Sequence, residues 1–523
     1  MKTKSLLSAS FVAIIVSGMI LVGTAPFFTV QASNDIIGII TSDTTWTKAG
    51  SPYTLKGPTA VNTGVTLTIE PGVTVNLNKY YIQVNGTLTA KGADNDKIYF
   101  NDGQVIFTSV SNGWNEQTGS GSIIQNAVFT DSLSISSSVK VTKNSLKGLD
   151  INSGSAVVSY NSISTINAKN GSPAITNNDI TGDFTIYGGS PTITANTIQQ
   201  RPWARSGSPV FSGNKIFRGI HADSSGGPVT ISNNELSSSG DYAIIFVAGV
   251  HADISGNKIV GTNNNPTGIG VSGVLSSATI SQNQIYGCKT GISVGQSNVK
   301  IHRNVIFNNN IGINIVYNAP IAGASGPWAE NQTADIQGNA IANNSIGIQF
   351  APYVSTSTIV NNNIQDNSEY NFKLQYAKDL AIPNNWWGTT DKQAVAQKIY
   401  DNKNDFNLGT VAFEPFLTEP INIATAIPEV TEPTPSPSPS PSPSPSPSTS
   451  PSENSTSPPD QSNPQDAQPA GLDRVEISIL VVLVIIAALL SVHLALALKK
   501  NRVQRQKKRK ETRLAEFYFC YLR

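Results

Sequence analysis

The sequence predicts an all-β solenoid, a coil of short strands, followed by a stalk and a separate transmembrane α-helix. Three observations predict it. The pattern apolar-x-x-Asn-x-apolar recurs thirteen times between residues 123 and 387. Around each copy apolar and polar residues alternate, with Ile, Val and Thr prominent, which is the period of a strand and not of a helix. Near the C-terminus stands a 22-residue apolar run, Ile477–Leu498, long enough as a helix to cross a bilayer core.

Residues 1–32 read as a secretory signal. Lys2 and Lys4 precede the apolar stretch from Leu6 to Val22, and Val30-Gln31-Ala32 offers a small-residue cleavage site. An uncleaved N-terminal anchor is the alternative. Residues 33–60 are expected to shield the first edge of the coil, because an open strand edge invites addition of another chain.

Residues 61–388 form the solenoid itself. Up to residue 100 the segments "GVTLTIEPGVTVNL" and "IQVNGTLTA" alternate without the Asn mark, and Pro71-Gly72 suits a turn. The marked asparagines are Asn126, Asn144, Asn161, Asn178, Asn196, Asn214, Asn234, Asn257, Asn283, Asn304, Asn339, Asn362 and Asn385, at intervals of 17 to 26 residues with one of 35. A strand, a turn, a second strand and a return in that length describe one coil of β-helix. Asn suits the turn because it tolerates left-handed backbone geometry. Stacked once per coil, the carboxamides can bond to each other as a ladder, with the flanking Ile and Val pointing inward. At ~4.8 Å per coil the rod comes to roughly 70 to 80 Å.

Residues 389–418 cap the far end. "DKQAVAQKIYDN" predicts a short helix with Thr390 or Asp391 as N-cap and Val395 and Ile399 on one face, and "GTVAFEPFL" a last extended segment. Residues 419–472, with "PTPSPSPSPSPSPSPSTSPS", are too polar and Pro-rich to bury a core and predict a disordered, extended stalk. The membrane helix is placed at 475–498. The tail 499–523 carries ten Lys/Arg against two Glu and so stays cytoplasmic. Its charge of +8, with Lys2 and Lys4, hides an exported part of −9 behind a formal total of +1. An acidic exterior gives no reason to expect nucleic acid as a partner. The two cysteines, Cys288 and Cys520, fall on opposite sides of the membrane, so no internal disulfide is expected. Cys288 reads as a buried small residue.

The coil repeats, then Asn385-Trp386-Trp387-Gly388, the short helix and Phe413-Glu414-Pro415-Phe416-Leu417, resemble secreted right-handed parallel β-helix repeat proteins. With its Pro/Ser stalk and C-terminal span the chain is similar to archaeal cell-surface members in particular. The resemblance covers residues 45–418 and implies the fold, while the architecture hosts lyases, hydrolases, epimerases and non-catalytic proteins alike. The aspartate cluster and Gly-His-Gly of β-helix polygalacturonases are absent, and the calcium aspartates and arginine base of pectate lyases find no matching positions. The periplasmic β-helix family linked to copper delivery is another relative. Here both methionines, Met1 and Met19, lie in the signal, leaving His221, His251, His302 and Cys288 in the exported part. That is thin provision for copper. The two "HAD" triplets at His221 and His251 sit at different offsets from their preceding asparagines, so they do not stack. "DNKNDFN" at 401–407 puts Lys403 at a ligand position and is not a calcium loop. No metal, cofactor or catalytic residue is assigned.

One stretch departs from the Ser/Thr/Asn-rich background: "QQRPWARSG", residues 199–207. The coils beginning at Asn178, Asn196 and Asn214 share an 18-residue period, so equal offsets stack. Odd offsets collect Asp183, Tyr187, Arg201, Trp203, Arg205, His221 and Asp223 on the outer face, while Phe184, Pro202, Ala204, Ile220 and Ala222 turn inward. These seven outer residues are the candidate ligand-binding set. Aromatic faces stack on sugars and Arg forks onto carboxylate or sulfate. The structural reading of the same residues is cross-strand pairing, Asp183 with Arg201 and Arg205 with Asp223. A second candidate is the insert "APIAGASGPWAENQTAD" with Trp328. The function expected is that of a membrane-anchored cell-surface protein in adhesion, glycan binding or envelope structure, its partner a glycan or envelope component. The alternative is a surface lyase, hydrolase or epimerase on acidic polysaccharide.

Overall fold

A computed structural model describes residues 34–423, apart from 224–225, 264, 274–275, 317–332 and 352–355. The signal, the stalk from residue 424, the membrane helix, the basic tail with Cys520 and residues 319–332 of the insert, with Trp328, all lie outside the described residues.

The fold is a parallel β-helix. Each full coil contributes one strand to a 15-stranded sheet and either one long strand, such as Ser145–Ile151, or two shorter ones to a 28-stranded sheet. In the coil around Asn178 these are Ala174–Thr176, Asp179–Ile180 and Phe184–Ile186. Each strand pairs in parallel with the same strand one coil on, as Ala174–Thr176 does with Thr192–Thr194. The residues expected to shield the first edge form the first coil themselves, since Asn34–Ile40 pairs in parallel with Tyr53–Val61. The Pro71-Gly72 turn forms, with Gly72 at φ +79° and the Val73 amide donating to the Glu70 carbonyl at 3.4 Å.

Period-two patterning turns alternate residues inward, and register stacks them into columns. Val158, Ile175, Ile193, Phe211, Ile231 and Ile254 lie in one column, each fully buried. Stacking like on like lets every coil bury its apolar face on its neighbours, which a single coil cannot do.

Twelve of the thirteen asparagines form the ladder. Asn196 is representative: its amide and its Nδ2 donate to Asn214 Oδ1 at 2.9 and 3.0 Å, and its Nδ2 also donates to the Ile175 carbonyl at 2.8 Å. Its own Oδ1 accepts from the amide and Nδ2 of Asn178. Two details differ from the sequence expectation. The left-handed residue is the one before each rung, Lys143, Tyr160, Asn177 and Ala195 among them, with φ between 55° and 58°. The rung needs its side chain directed inward, so the corner is turned one position earlier. Asn126 is not a rung. Gln125 pairs with Thr142 and the Ala127 amide donates to Asn144 Oδ1, so Asn126 occupies the left-handed corner, with φ 50°.

A second, shorter ladder runs through Asn309, Asn344 and Asn367, whose amides and carboxamides bond in sequence. Cys288 holds the preceding position, its amide donating to Asn309 Oδ1 at 2.9 Å. Its thiol is fully buried and burial pushes its pKa up to about 12, so it is an inert packing residue.

At the C-terminal end a helix spans Lys392–Gln397, with Asp391 as N-cap accepting from the Gln393 amide and Val395 buried. Ile399, also buried, follows in a strand. Val411–Ala412 pairs with Leu380–Ala381. Asp401 is fully buried and spends its carboxylate on the amides of Lys403 and Val411, as a structural brace. Residues 419–423, read from sequence as the start of the stalk, run back along the coils. The Asn363 carboxamide donates to the carbonyl and accepts from the amide of Ile421, both at 2.9 Å, and Ile423 packs against the cluster of Val305, Phe307 and Ala340.

Candidate binding cleft

The outward-facing column that begins at Thr185 builds the site. Thr185 pairs with Trp203, Trp203 with His221, His221 with Phe246, Phe246 with Gly270 and Gly270 with Ser293. The expected three-coil register is therefore present, and Phe184, Pro202, Ala204, Ile220 and Ala222 are buried as anticipated. Three rings stack along the column. Trp203 and His221 lie 5.1 Å apart and nearly parallel, and His221 meets Phe246 edge-on at 5.1 Å. Both geometries suit the quadrupoles of the rings.

At Gly270 the column loses its side chain, and there a cleft of about 560 Å³ opens. Its floor is Gly270, Ser272, Ser293 and Gly295, its near end Phe246, His221 and Arg201. One wall is the loop Asp241-Tyr242-Ala243. Tyr242 is 77% exposed, with its ring 6.0 Å from the Arg201 guanidinium carbon. Asp241 accepts from Asn265 Nδ2.

Arg201 is half-buried, and its Nη2 donates to the carbonyls of Ala243 at 2.7 Å and Ile220 at 3.4 Å. Its Nε is buried without a partner. Burial holds its pKa below the ordinary arginine value. Among the described residues no carboxylate pairs with it. Neither cross-strand pair expected from the sequence forms. Arg201 is drawn instead to backbone carbonyls at the cleft. Arg205 lies flat over Trp203, its guanidinium carbon 3.6 Å from the ring centroid, and 5.8 Å from that of Tyr187. Asp223 takes the indole N–H of Trp203 at 2.6 Å and stands 3.5 Å from His221 Nε2. Burial first, and then the charge of Arg201, lower the His221 pKa, with Asp223 opposing.

The seven candidate residues thus divide. Tyr187, Arg205, Trp203, His221 and Asp223 pack on one another, Arg201 and His221 line the cleft, and Asp183 stands exposed outside both groups. A guanidinium 3.6 Å over one face of Trp203 and His221 against the ring leave that indole no open face for a ligand. The open aromatic surface belongs to Tyr242 and Phe246, which lie beyond the coils of equal 18-residue period. The signal for them was the interval of 23 residues between Asn234 and Asn257, which marks an inserted loop against the 18-residue coils before it. The two "HAD" histidines lie on different sheets, His221 in the 28-stranded and His251 in the 15-stranded one.

Residues 205–335, which include most of the cleft, match the model of one family. That family is described as periplasmic copper-binding protein, NosD. No curated protein and no solved structure matches the chain. The match covers about a quarter of the sequence. Together with the parallel coils it supports a β-helix that works outside the cytoplasm.

Proposed function

We propose that the protein is a non-catalytic cell-surface β-helix, held to the membrane by its C-terminal span, whose cleft binds a glycan of its surroundings. The observation that carries this is the cleft itself. An exposed Tyr242 and the ring of Phe246 face a floor of Ser272, Ser293 and glycines. Sugars present apolar ring faces and a fringe of hydroxyls, so aromatic walls with a hydroxyl-lined floor fit them.

The family described as copper-binding raises a second ligand, and the residues here do not fit it. Among the described residues no three His, Cys, Asp or Glu side chains gather as donors. His302 Nε2 is engaged by Asp335 at 2.9 Å and His251 Nδ1 by Ser277 at 2.8 Å, away from the His221 stack. Cys288 is buried and protonated. The likeness is one of scaffold.

Binding of the full chain to a panel of immobilised glycans tests the proposal. Capture of one glycan class, reduced at least tenfold by Tyr242→Ala with the fold intact by circular dichroism, supports it. Release of shortened or unsaturated products from the captured glycan replaces it with the enzymatic alternative. Absence of binding to every glycan refutes it.

A further inference from the structure

Resting on the reading that the cleft takes a saccharide, we infer that it takes an acidic one, whose carboxylate or sulfate group is held by the guanidinium of Arg201. A buried cation is costly unless something answers its charge. The described residues answer that of Arg201 with two carbonyl dipoles, at 2.7 and 3.4 Å, and the Tyr242 ring at 6.0 Å, and with no carboxylate. Its Nε–H is closed to solvent and has no acceptor, so the protein itself does not satisfy the guanidinium. The planar guanidinium offers forked donors that match a carboxylate or sulfate in both geometry and charge.

The surroundings favour an anion over a water molecule. Arg205 lies in the same patch and is not neutralised either, since its guanidinium rests on Trp203. Two carboxylates lie nearby, Asp223 accepting from the Trp203 indole and Asp241, on the cleft wall, accepting from Asn265, and neither contacts the Arg201 guanidinium. The cleft end therefore presents a guanidinium with no carboxylate partner beside aromatic rings. A uronic acid or a sulfated sugar carries an anionic substituent on a ring with an apolar face, and would meet both at once.

Equilibrium binding to the full chain discriminates, using four probes: an oligogalacturonate, its methyl-esterified form, a sulfated galactan oligosaccharide and the neutral galactan. The acidic probes are expected to bind about 10- to 100-fold tighter than their neutral counterparts, with affinity falling as salt rises. Arg201→Gln should erase that preference, and Arg201→Lys should lose most of it while keeping the charge. Loss of only the carboxylate probe as pH falls below about 4, with the sulfated probe unaffected, separates the two anions. Equal binding of acidic and neutral probes overturns the inference and leaves the saccharide reading standing. A preference that survives in Arg201→Gln also overturns it. Binding of none of the four, alongside capture of some other neutral glycan, does the same, and a chain that captures no glycan refutes both readings. Should Arg201→Gln misfold, an acidic preference of the native chain that is insensitive to salt overturns the inference on its own.

Discussion

The indole Nε1 of Trp203 donates to Oδ1 of Asp223 at 2.6 Å, from one coil of the β-helix to the next. The bond is charge-assisted and half-buried, and it fixes the ring that Arg205 and His221 cover. A double-mutant cycle with Trp203→Phe and Asp223→Asn should give a coupling of about 1 kcal/mol in chemical denaturation, discounted for solvent access from the full value of a charged hydrogen bond. Additive effects would mean that the pair is only adjacent. Because the stack supports the near end of the cleft, Trp203→Ala should weaken ligand binding by displacing His221, not by removing a contact.

The ladder makes unequal asparagines of thirteen look-alikes. Asn196→Ala strands the buried Asn178 amide, which now donates to its Oδ1, and removes a side-chain donor from the Ile175 carbonyl. One buried unsatisfied amide together with the lost carboxamide bonds should cost about 2–4 kcal/mol. Asn126 donates its carboxamide to the Gly92 carbonyl alone, and its backbone sits at φ 50°. Asn126→Gly should cost about 1 kcal/mol or less, because glycine accepts the left-handed corner freely. Denaturation midpoints of the two variants check this directly. Equal losses would return Asn126 to the ladder.

His221 predicts how stability responds to pH. Its ring is wedged between Trp203 and Phe246, with Arg201 and Arg205 disfavouring its charge and Asp223 favouring it. The net effect lowers its folded pKa below the ordinary histidine value near 6.5. The unfolded chain then binds the proton first as pH falls. The contribution is complete above about pH 6.5 and is lost as pH drops from there to the folded pKa, with no further change below it. Denaturation curves between pH 7.5 and 4.5 on the native protein and on His221→Phe should differ in slope within that window, and an NMR titration of the ring reports the folded pKa. A ring that titrates above 6.5 reverses the sign and sinks the prediction.

The coil was legible because it repeats. Ile, Val and Asn recur at nearly fixed offsets, and a parallel stack turns equal offsets into columns. The same logic placed Trp203 beside His221 correctly, since those coils are both 18 residues long. It failed where the chain departs from the period. Phe246 follows Asn234 by twelve residues where His221 follows Asn214 by seven, because the loop carrying Asp241 and Tyr242 intervenes. Partner choice was less legible still. Arg201 and Arg205 were free to reach carboxylates on adjacent coils, but carbonyls and a π face competed for them. The second ladder was visible in principle, as Cys288, Asn309, Asn344 and Asn367 each follow a first-ladder rung by five residues. The cysteine at its head hid the pattern.

Gly270 decides whether the cleft exists. Every earlier residue of its column from Trp203 to Phe246 carries a ring, and the cleft opens where the ring is missing. A Cβ there would sit 3.1 Å from the Ala243 Cβ and 3.4 Å from Phe246 Cδ2, so a side chain can enter with shifts of a few tenths of an ångström. It would then continue over the floor. Gly270→Leu should fill that floor and cut ligand affinity at least tenfold, while costing no more than about 1–3 kcal/mol of overpacking. Gly295→Ala, at the far edge of the same floor, is the control and should reduce affinity much less. Measured together, binding and melting separate the two effects. A Gly270→Leu protein that melts like the native chain and binds as well would move the ligand off this cleft, because no occupant of the space beside Phe246 could tolerate that side chain.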